Sequence, residues 1–292
     1  MELLRVFMRS DLLIIAGGGL VNDYWPTLIP RYLVITGMAR ALGCRVAWIG
    51  VGVGPLQHPG SRWLACRLVA ISSTFAVRDS GSAALIRKSS KSSRITELTD
   101  PAWFNEPPEP SVAPSGMGII IREPAPGDDD RASSVYDALA ALISRRLASG
   151  QRTVLLTMQP DADAGAVEAI RDRLPAHVRW HRSVAVPVEP IEAMRLMAEF
   201  ESLVSMRLHG LVLGSLADRP CVPIVYDAKV AAAADQLGLS AIALPMDGIA
   251  VEPIEAAMRA ATSPTCRAIV RSRVSELRAK GPEIIRLLEE IL

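Results

Sequence analysis

The residues best equipped for chemistry stand where short apolar runs give way to helical patterns. Ser205-Met206-Arg207-Leu208-His209-Gly210 is one such junction. A histidine there lies beside the unpaired N–H groups of a helix N-terminus, which attract an anion. Imidazole is also the side chain suited to moving protons near neutral pH. Arg207, two residues earlier, adds a cation at the carboxyl end of the same strand. Farther along, Tyr226-Asp227-Ala228-Lys229 closes the next strand and opens the next helix. Asp227 is a good N-cap. Lys229, in the first turn, sits at the end of the helix dipole that prefers acids, and such a broken local rule often marks a site. Arg122, at the end of the apolar run Met117–Ile121, completes a basic cluster at the same sheet edge. Cations at three strand-to-helix turns imply a small, doubly anionic ligand, such as a phosphate ester that also carries a carboxylate.

Glycine-rich turns dominate the first third of the chain. Ala16-Gly17-Gly18-Gly19-Leu20-Val21-Asn22-Asp23 follows a strand directly, and its glycines permit positive φ and close approach of a ligand to backbone. Gly18, Gly19 and Asp23 are therefore candidate binding residues. Gly50-Val51-Gly52-Val53-Gly54-Pro55 follows the next strand but is not a dinucleotide fingerprint, because Pro55 and the polar loop to Ser61 delay the helix. Arg78, at the end of a third strand, is a further candidate; Asp79 or Ser80 behind it caps the following helix. Asp128-Asp129-Asp130, Asp161 and Asp163 read as solvated residues of polar loops. His177 and His181 bracket a basic edge strand with no ligand nearby to complete a zinc set.

These turns need a scaffold, and the pattern supplies one. Strands are expected near Leu12–Ala16, Arg45–Ile49, Thr74–Val77 and Arg94–Leu98, separated by helices near Leu28–Leu42, Arg62–Ile71 and Ser80–Lys88. The strands lack polar alternation, as in a parallel sheet covered on both faces. The proline-rich stretch Asn105–Gly116 then marks a boundary. Beyond it, strands are expected at Met117–Arg122, Thr153–Met158, Leu203–Met206, Cys221–Tyr226 and Ala241–Ala243. Helices are expected at Arg131–Ser149, Ala164–Leu174, Pro190–Phe200, Gly210–Ala217, Ala228–Leu237 and Pro253–Ala261. The tail Cys266–Leu292 reads as helix interrupted at Gly281–Pro282, with Ile284, Ile285, Leu287, Leu288 and Ile291 as an apolar stripe for packing on the core. The expected fold class is α/β: two Rossmann-like domains, 1–108 and 109–292, facing a cleft in the manner of the glycosyltransferase B-type architecture.

Composition narrows the function. The 292 residues are 50% apolar, with 32 basic residues against 31 acidic ones. That balance excludes a disordered chain and gives no basic surplus for nucleic acid. No signal peptide follows Met1, and no run approaches the ~18 apolar residues that span a bilayer. The four scattered cysteines read as reduced thiols. A cytoplasmic protein with at most peripheral membrane association is expected.

The same residues carry a family likeness. Ile15–Asp23, Gly52-Val53-Gly54-Pro55, Val77-Arg78-Asp79 with Ser82, Thr99-Asp100-Pro101, Ser205–Gly210 and Tyr226-Asp227-Ala228-Lys229-Val230 come in the order found in the polysaccharide pyruvyl transferase family, which this chain resembles. The Arg-Leu-His-Gly turn followed by Tyr-Asp-x-Lys is the most specific pair. The resemblance implies an enzyme that moves a pyruvyl group from phosphoenolpyruvate onto a sugar, or a lipid-linked oligosaccharide, as a ketal. It implies His209 as acid/base residue and Arg122 and Lys229 as donor-holding residues, with Arg207 beside them. The scheme calls on no metal ion or redox cofactor. The competing readings are a nucleotide-sugar-dependent glycosyltransferase, which predicts an acidic or ribose-binding residue where the basic cluster stands, and a non-catalytic scaffold of a polysaccharide-assembly complex.

Family members usually open with a further strand and glycine-rich turn before the triple glycine. Here Asp11 begins the strand to Gly17 almost at once. The resemblance therefore implies a shortened N-terminal domain, an incomplete first sheet on the acceptor side, and impaired transfer.

Overall fold

The computed structural model describes residues 2–90, 92–109, 112–123, 129–176 and 183–292. The chain forms two compact units, Met1–Phe104 with Glu276–Leu292, and Asn105–Ser275.

Unit 1 carries α1 (Glu2–Phe7), β1 (Leu12–Ala16), α2 (Leu28–Ala41), β2 (Arg45–Val51), α3 (Pro59–Ile71), β3 (Thr74–Val77), α4 (Ser80–Arg87) and β4 (Ile95–Glu97). Its four strands are parallel, in the order β1-β2-β3-β4. Trp48 anchors the core, edge-on to Tyr32 at 5.2 Å and tilted against Phe75 at 5.4 Å. At the β1 edge no described strand pairs with the outer side, and Ile14 is 47% exposed.

Unit 2 carries β5 (Met117–Ile121), α5 (Asp129–Ala148), β6 (Thr153–Thr157), α6 (Pro160–Asp172), β7 (Ser183–Ala185), α7 (Pro190–Ala198), β8 (Ser202–Ser205), α8 (Leu208–Leu216), β9 (Cys221–Val225), α9 (Ala228–Gln236), β10 (Leu244–Pro245) and α10 (Val251–Thr262). Its parallel sheet runs β10-β9-β8-β5-β6-β7. The alternation of buried strands and helices is thus an α/β arrangement in both units. No described helix is long and apolar enough to cross a membrane.

Three expectations need correction. Ala241–Ala243 is not a strand: Ser240–Ile242 forms a 3-10 turn, and the strand is the two-residue β10, whose Pro245 lacks an N–H and suits an edge. Several helices begin earlier than predicted because a proline opens them. Pro59, Pro160 and Pro264 are first residues of helices, where a missing N–H costs nothing.

The tail also differs. The boundary falls at Phe104/Asn105 rather than at residue 108, and the last helices do not all stay with the second half. Helix α11 (Pro264–Arg278) is tied to unit 2 by Arg267 and Arg271, which ion-pair with Asp218 at 2.8 and 2.7 Å. The break then falls at Ala279–Lys280, and α12 (Gly281–Glu289), opened by Gly281-Pro282, joins unit 1. There Ile284, Leu287, Leu288 and Ile291 cover Ala47, Ile49, Ala76 and Leu98 on one face of the first sheet. Leu287→Ala with Leu288→Ala is expected to destabilise unit 1 by about 2–3 kcal/mol. An earlier urea transition in the fluorescence of the tryptophans would show it; an unmoved transition would mean α12 contributes little.

Candidate functional site

In unit 1 the glycine turns are stitched together beyond the strand ends. Gly17 and Gly18 both take positive φ, +65° and +71°. Gly17 N–H donates to Ile49 O at 2.9 Å, Gly52 N–H to Gly18 O at 2.7 Å, and Gly54 N–H to Val21 O at 2.7 Å. The position of a Cβ on Gly19 is open space. The buried Asn22 closes the turn, donating from Nδ2 to Gly19 O and accepting from Tyr24 N–H. Asp23 accepts from the backbone N–H groups of Gln57 and His58. Burial would raise its pKa, but the Ser61 hydroxyl and those two N–H groups outweigh it and hold the carboxyl below its ordinary value. Asp23 therefore fastens the loop after Pro55.

Arg78 is turned inward, 5% exposed, and ion-pairs with Asp79 and Asp100, each at 3.3 Å. Its guanidinium lies against Gly52, where a Cβ would come within 2.7 Å of Nη2. Asp79 caps α4 by accepting from Ser82 N–H at 2.6 Å, and Ser82 Oγ accepts from Val53 N–H at 2.9 Å. The charges of Arg78 brace these turns from inside, so its guanidinium is occupied by protein partners rather than offered to solvent.

In unit 2 the sheet order sets three chemistry-bearing turns side by side. β8 lies between β9 and β5, so the turns after them carry Lys229, His209 and Arg122 at adjoining positions on one sheet edge. His209 is the second residue of α8, whose N-cap is Arg207, and it is half-buried. The helix sits tightly: a Cβ on Gly210 would collide with Ser205 Oγ and approach Ile120 Cδ1 within 2.8 Å.

Tyr226 joins the two cations. The Arg122 guanidinium lies 4.1 Å from its ring centroid and Lys229 Nζ 5.3 Å from it. Burial pushes the Tyr226 hydroxyl well above its ordinary pKa, with Asp227 adding to the shift and Arg122 and Arg207 opposing it. The phenol stays neutral beside the cations. Lys229, unfavourable in a first turn, is compensated by the N-cap: Nζ lies 2.9 Å from Asp227 Oδ2, while Asp227 Oδ1 accepts from Lys229 and Val230 N–H.

Arg207 is mostly committed to the protein. Nε donates to Ile121 O at 3.1 Å, Nη1 to Gln159 Oε1 at 3.3 Å, and Nη2 pairs with Asp163. Asp163 corrects another expectation. It is not a solvated loop residue but lies in the first turn of α6, 0% exposed. Pro160 opens the helix, so Asp161 and Asp163 fall in its first turn. Asp129 and Asp130 likewise belong to a helix, α5. Asp128, His177 and His181 lie outside the described residues. The four cysteines form no disulfides, and burial pushes the Cys221 thiol up to about 12.

Tyr226 and Asp163 are the residues that sequence reasoning missed. Nothing in the sequence pairs Tyr226 with Arg122. For Asp163 a cue existed: an acidic residue just after a proline is a helix-start signal.

The fold is that of two Rossmann-like α/β domains of the glycosyltransferase B type. HepE from Anabaena, solved with UDP, superposes with a TM-score of 0.62 at 10% identity, covering 99% of this chain and 81% of that one. The UDP-GlcNAc 2-epimerase of Methanocaldococcus jannaschii, solved with UDP-GlcNAc and UDP, gives 0.60 at 14% identity over 99% and 79% of the two chains. A UDP-forming trehalose-phosphate synthase from Burkholderia xenovorans gives 0.60 at 14% over 99% and 76%. Within that fold the particular family is settled by sequence: residues 2–228 match the polysaccharide pyruvyl transferase model, and the chain belongs to that family of transferases.

Proposed function

We propose that this protein transfers the pyruvyl group of phosphoenolpyruvate to a sugar of a cell-envelope or exported polysaccharide, forming a ketal. The observation that carries this reading is the Tyr226 ring with two cations on it, Arg122 and Lys229, beside the His209 turn. A carboxylate and a phosphate on one small molecule call for two neighbouring cations, a planar fork and a point charge. Arg122 and Lys229 take those parts. His209 delivers a proton to the methylene carbon of phosphoenolpyruvate, making the adjoining carbon oxocarbenium-like. A sugar hydroxyl attacks that carbon and loses its proton. Phosphate then leaves, and a second hydroxyl closes the cyclic ketal. One phosphoenolpyruvate and one diol become one ketal and one phosphate. Phosphoenolpyruvate is a metabolite of the cytoplasm, and we assign the reaction to that compartment.

The test is to incubate the protein with phosphoenolpyruvate and a panel of lipid-linked and nitrophenyl sugars, following phosphate release and ketal formation by mass. Ketal formed in step with phosphate supports the reading. The rival is a nucleotide-sugar glycosyltransferase, favoured by the UDP bound in the structural relatives. Equilibrium dialysis that retains UDP but not phosphoenolpyruvate would replace the first reading with the second.

A further inference from the structure

We infer that Asp163 is a positioning residue that holds the donor-binding and proton-transferring turns in register. The inference rests on the proposed function for its ligand, and on geometry alone for the joint itself. Asp163 stands where the ends of β8, β5 and β6, three neighbours at the middle of the second sheet, converge. Its Oδ1 pairs with Arg207 Nη2 after β8 and accepts from Glu123 N–H, at 3.3 Å, after β5. Its Oδ2 accepts from Gln159 N–H, at 3.0 Å, after β6. One fully buried carboxylate thus fastens three turns.

The consequences reach both parts of the site. Arg122 lies between two anchored neighbours: Ile121 O accepts from Arg207 Nε, and Glu123 N–H donates to Asp163. Arg122's own carbonyl accepts from the Tyr136 hydroxyl at 3.1 Å. With three consecutive residues tied down, the Arg122 side chain leaves the backbone in a fixed direction, toward Tyr226. On the other arm, Arg207 is the N-cap of α8, and its backbone is clasped by Ser205 Oγ, which accepts from Arg207 N–H and donates to Arg207 O. Fixing the Arg207 side chain therefore fixes the start of the helix that presents His209. A buried ion pair is a poor source of net stability, because desolvating both charges offsets their attraction. Geometry is what this one provides.

The test is Asp163→Asn in the full chain, which keeps the shape but removes the charge and turns an amide donor toward other donors. Arg207→Lys opens the same joint from the other side, and serves if the first variant fails to fold. The sequence has four histidines, so the imidazole proton signals are few, and His209→Asn assigns the relevant one. In folded Asp163→Asn the His209 signal should move while that of His58 stays. Phosphoenolpyruvate affinity should fall roughly tenfold. Turnover should fall on the order of a hundredfold, as about 1 Å of misplacement produces. The double variant should be no worse than Asp163→Asn alone, since both break one joint. A merely structural role lowers the unfolding midpoint without moving the His209 signal or the affinity of the folded protein. Folded variants with wild-type His209 signal and affinity would overturn the inference. If the unaltered protein does not bind phosphoenolpyruvate, the functional reading fails, and the His209 signal still decides the positioning role.

Discussion

His209→Ala is expected to lower turnover by about 10²–10⁴-fold, the usual contribution of a positioned acid or base, with phosphoenolpyruvate affinity largely unchanged. The separation follows from where the residue stands. His209 is the second residue of α8 and lies on the turn after β8, whereas the paired cations come from the turns after β5 and β9. Removing the imidazole takes away a proton carrier but leaves both charges on the Tyr226 ring. Comparing phosphate release in steady state with donor binding by calorimetry resolves the two effects. Near-normal turnover in the variant would remove His209 from the chemistry and leave the fold untouched.

The second large effect is on binding. Arg122→Ala and Lys229→Ala each delete one charge-assisted contact, on the order of 1.5–3 kcal/mol, or about a ten- to hundredfold loss of phosphoenolpyruvate affinity. Because both cations rest on one ring, the ring is the control. Tyr226→Phe preserves the aromatic face and should preserve affinity, while Tyr226→Ala should weaken it by freeing both side chains. Lys229→Ala also releases Asp227 from its ion pair, but the cap on α9 persists through the Lys229 and Val230 N–H groups, so the fold should hold. Unchanged affinity in both cation variants would point to a different ligand.

Much of the scaffold was legible because buried parallel strands advertise themselves. Thr74–Val77, buried throughout, lies where its apolar run predicts, and so does the open-edged Leu12–Ala16. The helices expected from Arg62, Ala164 and Cys266 begin earlier, at Pro59, Pro160 and Pro264; a proline's meaning depends on whether an N–H is needed at that position. The candidate residues were found at strand ends, but their tasks were not. Arg78 and Arg207 carry the same charge as Arg122, yet Arg78 is bound to Asp79 and to the distant Asp100, and Arg207 to the distant Asp163, all buried carboxylates. Such pairings depend on sheet order, which local pattern does not encode.

The return of α12 to the first unit has a consequence for biogenesis. The face formed by Ala47, Ile49, Ala76 and Leu98 is covered by residues from the last dozen of the chain. About 180 residues must be synthesised between Phe104 and that cover, roughly 10–40 s at about 5–20 residues per second. During that interval the nascent first unit carries an open greasy face, and completion of its core waits until α12 has been made. A stop codon anywhere after Ser275 and before Ile284 would leave the second unit whole and hand the first to chaperones and proteases.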